Sequence, residues 1–292
     1  MAEIIQDDGT WSFDGDAVRI VPGRDKGVHV ARQTLGERAV PLAAVAGITY
    51  EPGRKAGRLR LRLREGADPL LLATGGKLPD NADPYQLSVE PDRTGVAEYF
   101  VDEVRHALLL EQVPSGPCDR FLIPGPAVPL SASAGDGTAF FDGEQIRLEW
   151  NWKTEQSKKS AGTRTFSLAD LDSVEWLPAI GLENGYLRFV LARATTKAPP
   201  KYDPHSIELF GFRKDPLMAL VAAAVVARMP HPAAPVELPA QAPAVEPDGN
   251  AGGGDDHDAL LRRLRELGEL RQAGVLTEEE FTAAKQSVLR RF

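Results

Sequence analysis

The chain has 292 residues, of which 42% are hydrophobic and 26% are charged, and its formal net charge is −8 at pH 7. This composition is that of a folded protein, and the length allows two ordinary domains. The longest apolar run, from Leu217 to Ala227, is well short of the roughly twenty residues that a membrane-spanning helix needs. The N-terminal residues lack the basic and apolar regions of a secretory signal, so we expect a cytoplasmic protein.

The net charge disfavours one further class of protein, and the cysteine count excludes others. An acidic balance disfavours nonspecific nucleic-acid binding, because affinity for phosphates requires clustered lysine and arginine. Peripheral contact with a membrane is left open but is not favoured. Cys118 is the only cysteine, which excludes an internal disulfide framework, a zinc ribbon and a Cys-x-x-Cys redox pair. An unpaired thiol is typical of a reducing compartment.

The sequence contains an internal duplication. The segment from Asp8 to Ile20 returns as the segment from Asp136 to Leu148, with seven of thirteen positions identical. The correspondence continues in the same order, with residues 40–50 matching 166–176 and residues 57–61 matching 185–189. A period of about 120 to 128 residues is too long for a solenoid repeat and indicates two copies of one domain. We predict the copies at residues 1–112 and 133–229, joined by a proline-rich, fairly stiff connector at 113–132.

Each copy shows the pattern of several strands followed by one helix. Asp14-Gly15 and Asp142-Gly143 predict hairpin turns, because Asp-Gly tolerates the positive φ angles of a tight turn. Alternating apolar residues predict strands over 58–63 and 85–89 in the first copy. Each copy ends in a predicted amphipathic helix, one capped by Thr94 and the other by Asp215-Pro216. This α+β order resembles the pleckstrin-homology superfold.

The remaining residues divide into a tether and a helical hairpin. Residues 230–255 combine spaced prolines with a glycine run, which predicts a disordered linker. Residues 256–292 predict two helices, separated at Gly274 and resumed by a capping box that begins at Thr277. So short a segment rarely folds alone, and its apolar face is expected to contact a second copy, another protein or the body of the chain. The apolar residues expected at this contact are Leu260, Leu261, Leu264, Leu267, Leu270, Leu276, Phe281, Val288 and Leu289.

These residues carry two family resemblances. Leu264, Leu267 and Leu270, followed by Gly274-Val275-Leu276-Thr277 and Glu280-Phe281, resemble the SHOCT family, the short C-terminal domain of bacterial proteins. That family is thought to mediate oligomerisation, so the resemblance implies assembly through residues 256–292. The repeated Phe-Asp-Gly-x-x-[Val/Ile]-Arg segment, Pro41-Leu42 and Gly57-x-Leu-Arg resemble the bacterial domain of unknown function DUF4429. This second resemblance extends over roughly residues 5–229 and implies no activity.

A row of arginines is the strongest candidate binding surface. Spacing of two places Arg58, Arg60, Arg62 and Arg64 on one face of a strand, opposite a leucine face. Such a row would hold phosphates or carboxylates through bidentate contacts. Alternatively, the arginines are solvent-facing residues paired with nearby acids, and the usual exposure of arginine favours this interpretation.

The second copy departs from the first between Trp150 and Lys159. Trp150 and Trp152, beside Lys153, Lys158 and Lys159, would form an aromatic and basic contact loop, which gives this copy a different surface. The alternating spacing around Asn151 instead favours a strand on which both rings are packed.

No motif in the sequence carries catalytic chemistry. The paired acids Asp14/Asp16 and Asp142/Glu144 lack the spacing of a calcium loop, and turn formation explains them. The five histidines are scattered, and no glycine-rich motif is followed by the Lys-Ser or Lys-Thr of a phosphate-binding loop. We therefore expect no enzyme activity, cofactor or metal, although a site assembled from distant residues stays open.

The duplicated body and the apolar tail together favour a binding or scaffold protein. Oligomerisation of weak binding domains raises their effective concentration and so their avidity. The alternative is a sensor that binds an anionic small molecule or a lipid headgroup on the arginine row.

Overall fold

The structure is a computed structural model that describes residues 1–193 and 198–234. These residues belong to one compact unit, Met1–Val236. The predicted helical hairpin at 256–292 and most of the predicted linker at 230–255 lie outside the described residues.

The first repeat consists of two small antiparallel sheets and a closing helix. One sheet has the strand order β1-β2-β3-β4 and the other the order β5-β6-β7. The strands are β1 (Ala2–Gln6), β2 (Gly9–Phe13), β3 (Ala17–Pro22), β4 (Arg38–Pro41), β5 (Val45–Glu51), β6 (Gly57–Leu63) and β7 (Gln86–Val89). The helices are α1 (Val30–Leu35) between β3 and β4, α2 (Pro69–Thr74) between β6 and β7, and the closing helix α3 (Thr94–Leu110).

The second repeat has the same plan. Its sheets have the strand orders β11-β10-β9-β8 and β12-β13-β14. The strands are β8 (Leu130–Ala134), β9 (Gly137–Phe141), β10 (Gln145–Trp150), β11 (Arg164–Ser167), β12 (Leu171–Leu177), β13 (Gly185–Leu191) and β14 (Ser206–Leu209). Helix α4 (Gln156–Ser160) lies between β10 and β11, and α5 (Pro216–Val226) closes the repeat. The predicted α+β class is confirmed, since each repeat has two small antiparallel sheets and ends in a helix.

The two Asp-Gly pairs form the hairpin turns that the sequence predicts. The Asp14 carboxylate accepts hydrogen bonds from the backbone N–H groups two and three residues on, at 3.0 and 2.9 Å. Asp142 makes the same two bonds at 2.9 and 2.7 Å. Gly15 and Gly143 follow with φ angles of 110° and 119°, in the region that favours glycine. Each hairpin is preceded by a further strand, β1 or β8, that was not predicted, because β1 contains alanine and glutamate and β8 contains two alanines, which are depleted in strands.

Helix α3 begins without the predicted cap. Thr94 is its first residue, and its hydroxyl donates to the carbonyl of Pro91 at 3.0 Å and pairs with the Tyr50 hydroxyl at 2.9 Å. The prediction that Thr94 caps the helix is therefore wrong. The predicted apolar face is present, since Phe100 and Val104 are fully buried.

Helix α5 begins at the predicted Asp215-Pro216, with Asp215 in the N-cap position. However, the Asp215 carboxylate accepts from the backbone N–H groups of Gly211 and Phe212, at 2.7 and 3.1 Å. It therefore organises the loop before the helix and makes no side-chain bond to the first turn of α5.

Helix α5 also differs from an amphipathic helix, because it is covered on all sides. Every residue from Met218 to Val225 is buried. The sheets of its own repeat pack on it, and so do α1 and α2 of the first repeat. Ala31 on α1 and Leu70 on α2 belong to the same hydrophobic core as α5. The two repeats are therefore joined through shared apolar packing.

The connector is held against the first repeat and does not extend freely between the two. Cys118 and Ile123 are buried in the core of the first repeat. The backbone N–H of Cys118 donates to the carbonyl of Glu65 at 2.7 Å, and that of Ile123 donates to the carbonyl of Ala67 at 3.1 Å. Part of the connector is thus packed on the first repeat.

Candidate functional site

Three members of the predicted arginine row lie on β6 and Arg64 directly follows it, with the leucine face of the strand turned inward. Arg58 and Arg60 share one acid, because their guanidinium groups lie 2.9 and 3.7 Å from the carboxylate oxygens of Asp80. All three side chains are substantially exposed. Such exposed pairs stabilise a fold only slightly, but they reduce the positive charge that the row presents to an anion.

The other two arginines have different surroundings. Arg64 donates from Nε to the carbonyl of Gly116 at 2.8 Å and from Nη1 to the carbonyl of Ala43 at 2.9 Å. It therefore ties the connector to the first repeat. Arg62 is exposed and makes no hydrogen bond or ion pair with any residue in the described part of the chain. Binding of an anion by the row stays a prediction, with Arg62 as its unneutralised member.

A cleft of about 350 Å³ opens beside this row in the first repeat. Its wall contains Arg58 and Asp80, and also Arg32 and Asp8, whose charged groups are 3.1 Å apart. The Asp8 carboxylate also accepts from the backbone N–H of Ser88 at 3.2 Å. Because two arginines face two aspartates, the wall carries no excess positive charge that would select an anion.

His29 lies between this cleft and the second repeat. The imidazole Nδ1 accepts a hydrogen bond from the backbone N–H of Ala31 at 3.2 Å and so caps α1. Arg213 of the second repeat donates to the carbonyl of Val28, the preceding residue, at 3.1 Å. Burial lowers the pKa of His29 below 6.5, and the positive charges of Arg213 and Arg32 lower it further.

We expect the free energy of unfolding to decrease as pH falls below 6.5, because the pKa of His29 is lower in the folded chain than in the unfolded chain. The unfolded chain protonates this histidine first, so its contribution to stability is lost as pH falls toward the lowered pKa, with a slope of at most about 1.4 kcal/mol per pH unit. A His29→Asn variant keeps a capping side chain but does not titrate. Urea unfolding of both proteins between pH 7 and 5 should show a shallower pH dependence for the variant. Parallel profiles would contradict the assignment.

Each repeat contains an acid–base pair that links three of its elements. In the second repeat, Lys158 on α4 donates to the Asp136 carboxylate at 2.6 Å, and both side chains are buried. Asp136 also accepts from the backbone N–H of Glu208 on β14 at 2.8 Å. Asp8 and Arg32 form the corresponding pair in the first repeat. The first hairpin, the helix after the third strand and the last strand are thereby connected in both repeats.

The residues of the predicted contact loop lie partly in the interior and partly on the surface of the second repeat. Lys158 is fully buried, so its predicted place in an exposed basic loop is wrong. Burial lowers the pKa of Lys158, although the Asp136 carboxylate opposes this shift, and burial raises the pKa of Asp136. Trp150 donates from Nε1 to the carbonyl of Gly162 at 2.7 Å and packs beside Lys158. The prediction of a packed ring holds for Trp150.

Trp152 is instead 82% exposed, in the turn after β10. The prediction that both rings pack on a strand is wrong for this residue. Lys153 Nζ lies 5.5 Å from the centre of the Trp152 ring and 4.9 Å from that of Phe212. Lys159 donates to the carbonyl of Trp152 at 3.1 Å. These residues form an exposed aromatic and basic surface.

A buried cluster in the first repeat was not predicted. Arg38 lies 3.0 Å from one oxygen of Asp68, and the Tyr85 hydroxyl donates to the other at 2.8 Å. Asp68 also caps α2 through the backbone N–H groups of Leu70 and Leu71. Burial raises the pKa of Asp68, and burial and the neighbouring carboxylate raise that of Tyr85. The groups are paired with one another inside the fold, which indicates a structural role.

The paired acids predicted to form turns do so. Backbone N–H groups lower the pKa values of Asp14 and Asp142. Within residues 1–193 and 198–234, no group of three or more histidine, cysteine or acidic side chains is placed to hold a metal ion. In the same part of the chain, no helix has both the length and the apolar character needed to cross a bilayer.

Comparison with protein families agrees with the internal duplication. The family described as "Domain of unknown function (DUF4429)" matches residues 11–105 and 139–226, well over half of the chain. The chain belongs to the DUF4429 family. Each of the two DUF4429 segments falls within one repeat of the structure. The family described as "Short C-terminal domain", SHOCT, matches residues 262–289, which confirms the second resemblance. The search of curated proteins finds no match to this DUF4429 chain.

Proposed function

We propose that this chain is a non-enzymatic cytoplasmic scaffold, in which the two repeats bind a partner and the C-terminal hairpin brings copies of the chain together. The observation that carries the proposal is the SHOCT match at residues 262–289, which follows a body of two joined repeats. Docking of a different protein on the same hairpin is the other outcome that we consider. The single cysteine, Cys118, is a buried free thiol, which agrees with a reducing compartment.

The apolar residues of the tail support assembly. Helix α5, which closes the body, is already covered by α1 and α2 of the first repeat. Residues 256–292 carry a row of leucines that needs a partner, because so small a segment buries little apolar surface by itself. Pairing with the same segment of a second copy would bury that row. Clustered repeats would then bind multivalently.

We expect light scattering to show an oligomer for the full chain and a monomer for a Leu264→Asp/Leu267→Asp variant. Two carboxylates on the apolar face would have to be desolvated on association, which is strongly unfavourable. A truncation after residue 255 should also be monomeric. The matched control is Leu109→Asp, because Leu109 is a 79% exposed leucine on α3 of the body. A full chain that is as monomeric as its variants would overturn self-assembly and favour docking on another protein.

The alternative of an anion sensor has weaker support. Arg58 and Arg60 share Asp80, and Arg64 is bound to backbone carbonyls. Only Arg62 keeps an unpaired guanidinium among the described members of the row. A single exposed arginine lacks the converging donors that hold a phosphate or carboxylate group.

A further inference from the structure

The second repeat carries exposed apolar side chains on three connections at one end of its fold. Trp152 follows β10, Ile180 and Leu182 lie in the β12–β13 hairpin, and Phe212 lies between β14 and α5. Trp152 is 82% exposed, Leu182 is fully exposed, and the other two are more than half exposed. Large apolar side chains so fully exposed on loops cost solvation free energy unless something covers them. These four residues are called the apolar tips below.

The three connections meet at Phe212. Trp152, Lys153 and Phe212 line one cavity of about 500 Å³. Phe212 also lines a second cavity of about 400 Å³, together with Pro178 and Ala179 at the base of the β12–β13 hairpin. Trp152 and Phe212 therefore share one surface, although sixty residues of sequence separate them, and the base of the hairpin that carries Ile180 and Leu182 meets this surface at Phe212.

The apolar tips are surrounded by positive charge. Lys153 and Lys214 are exposed and line the same cavity as Trp152 and Phe212, and the amine of Lys159 reaches the carbonyl of Trp152. The nearby Asp215 carboxylate is buried and bonded to backbone N–H groups. Glu183 is the exposed acid of the hairpin. This surface is therefore basic, although the whole chain has a net charge of −8.

The first repeat provides an internal comparison, because the same three connections exist there. Its β5–β6 hairpin contains Gly53-Arg54-Lys55 where the second repeat has Ile180 and Leu182. Its segment between β7 and α3 begins with Glu90-Pro91-Asp92, where the second repeat has Phe210-Gly211-Phe212. No large apolar side chain is exposed in these two segments or in the β3–β4 connection, which corresponds to the connection that carries Trp152. The fold itself therefore does not require the apolar tips.

We propose that the apolar tips and their lysines bind the surface of an anionic membrane. The apolar residues lie on three separate connections. Separate projecting side chains insert between lipid headgroups more readily than they fit a flat protein surface. Tryptophan has an apolar ring with a polar N–H and favours the boundary between headgroups and acyl chains. Lysines are depleted in protein–protein interfaces but are attracted to anionic headgroups. This inference rests on the proposed function, since it names the partner of the body and the hairpin would supply avidity.

The test is sedimentation of the full chain with vesicles. We expect binding to mixed phosphatidylcholine–phosphatidylglycerol vesicles and much weaker binding to phosphatidylcholine alone, with the difference reduced by salt. A Trp152→Ser/Leu182→Ser variant should bind at least about tenfold more weakly, because it loses buried apolar area. A Lys153→Gln/Lys214→Gln variant should bind about thirtyfold more weakly.

Two matched controls lie on the first repeat. Leu109→Ser/Leu110→Ser removes two exposed leucines from α3, and Lys55→Gln/Lys77→Gln removes two exposed lysines. Both controls should bind as the unmodified chain does. Equal binding by the unmodified chain and the variants of the apolar tips, or no binding to anionic vesicles at low salt, would overturn the proposal. A fall in binding that the controls share would overturn it as well.

Fluorescence separates insertion from other effects. Trp11 and Trp176 are buried, and Trp150 is partly buried with its Nε1 bonded to the carbonyl of Gly162, whereas Trp152 is exposed. Anionic vesicles should therefore shift the emission to shorter wavelength and protect it from acrylamide, and a Trp152→Phe variant should lose this response. The monomeric tail variant Leu264→Asp/Leu267→Asp should keep the shift but need more lipid. If the full chain is oligomeric and shows no shift, only the membrane proposal fails. If it is monomeric and shows the shift, only the self-assembly proposal fails.

Discussion

Replacement of Asp136 by alanine is expected to lower the free energy of unfolding by about 3–5 kcal/mol, because it leaves a buried charge without its partner. Lys158 is fully buried, and its amine lies 2.6 Å from the Asp136 carboxylate. The substitution also removes the acceptor for the backbone N–H of Glu208. Urea unfolding followed by circular dichroism at pH 7 would measure the loss.

The pH dependence of Asp136→Ala should identify the cause. Burial already lowers the pKa of Lys158 below 10.5, and Asp136 opposes that shift. Without Asp136 the folded state favours the neutral amine more strongly, so the unfolded chain binds more protons and stability rises with pH below 10.5. We therefore expect the deficit of the variant to shrink as pH is raised above neutrality.

Two further variants control this prediction. Glu155→Ala removes the exposed pair with Lys201, whose groups are 2.9 Å apart, and should cost less than about 1 kcal/mol. An Asp136→Leu/Lys158→Met variant should recover much of the stability, since apolar replacements remove both charges together. If Asp136→Ala costs no more than Glu155→Ala, the buried pair does not contribute as we infer.

Leu70→Ala is expected to cost about 2–5 kcal/mol, and the effect should extend into the other repeat. Leu70 lies on α2 of the first repeat but is fully buried in the core that contains α5. The cavity would remove apolar contacts from both repeats at once. Hydrogen exchange should therefore show faster exchange of the α5 amides in the variant, along with a lower denaturation midpoint.

Leu72→Ala is the matched control, because it makes the same substitution two residues away on the same helix. Leu72 is 38% exposed, so we expect a loss below about 1 kcal/mol and unchanged exchange of α5. Unchanged protection of α5 in Leu70→Ala would show that the repeats do not stabilise each other.

The sequence predicts those parts of the fold that depend on near neighbours. The Asp-Gly turns form as predicted because the aspartate carboxylate bonds backbone N–H groups only two and three residues away. The inward leucines of β6 follow from simple alternation. The duplication also allowed each prediction in one copy to be compared with the other.

Predictions that depended on distant partners were less successful. The buried state of Lys158 depends on Asp136, which is 22 residues away in sequence. The duplication shows that Asp136 is identical to Asp8, but it does not show which base pairs with either aspartate. The charge on the arginine row depends on Asp80, which lies in a connection outside β6. The apolar tips come from three separate segments, and the sequence analysis singled out only Trp152 of the four residues. Isolated apolar residues are ordinary in any sequence, so only the fold shows that these share one surface.

The apolar character of α5 is a further signal in the sequence. The run from Leu217 to Ala227 is apolar on every side, and a helix of that kind is usually buried all round. This pattern predicts that α5 has cover beyond its own sheets. It does not say that the cover comes from α1 and α2, because those helices lie over a hundred residues earlier in the chain.

The burial of α5 makes the order of synthesis significant. A ribosome completes α1 and α2 long before it makes α5, so the surface that receives this helix exists when the helix emerges. A circular permutant that begins with the second repeat would make α5 first and leave its apolar surface open to other nascent chains. The two copies share one plan, yet the closing helix of the second is covered by two helices of the first. We expect such a permutant to aggregate more during synthesis than the original chain does.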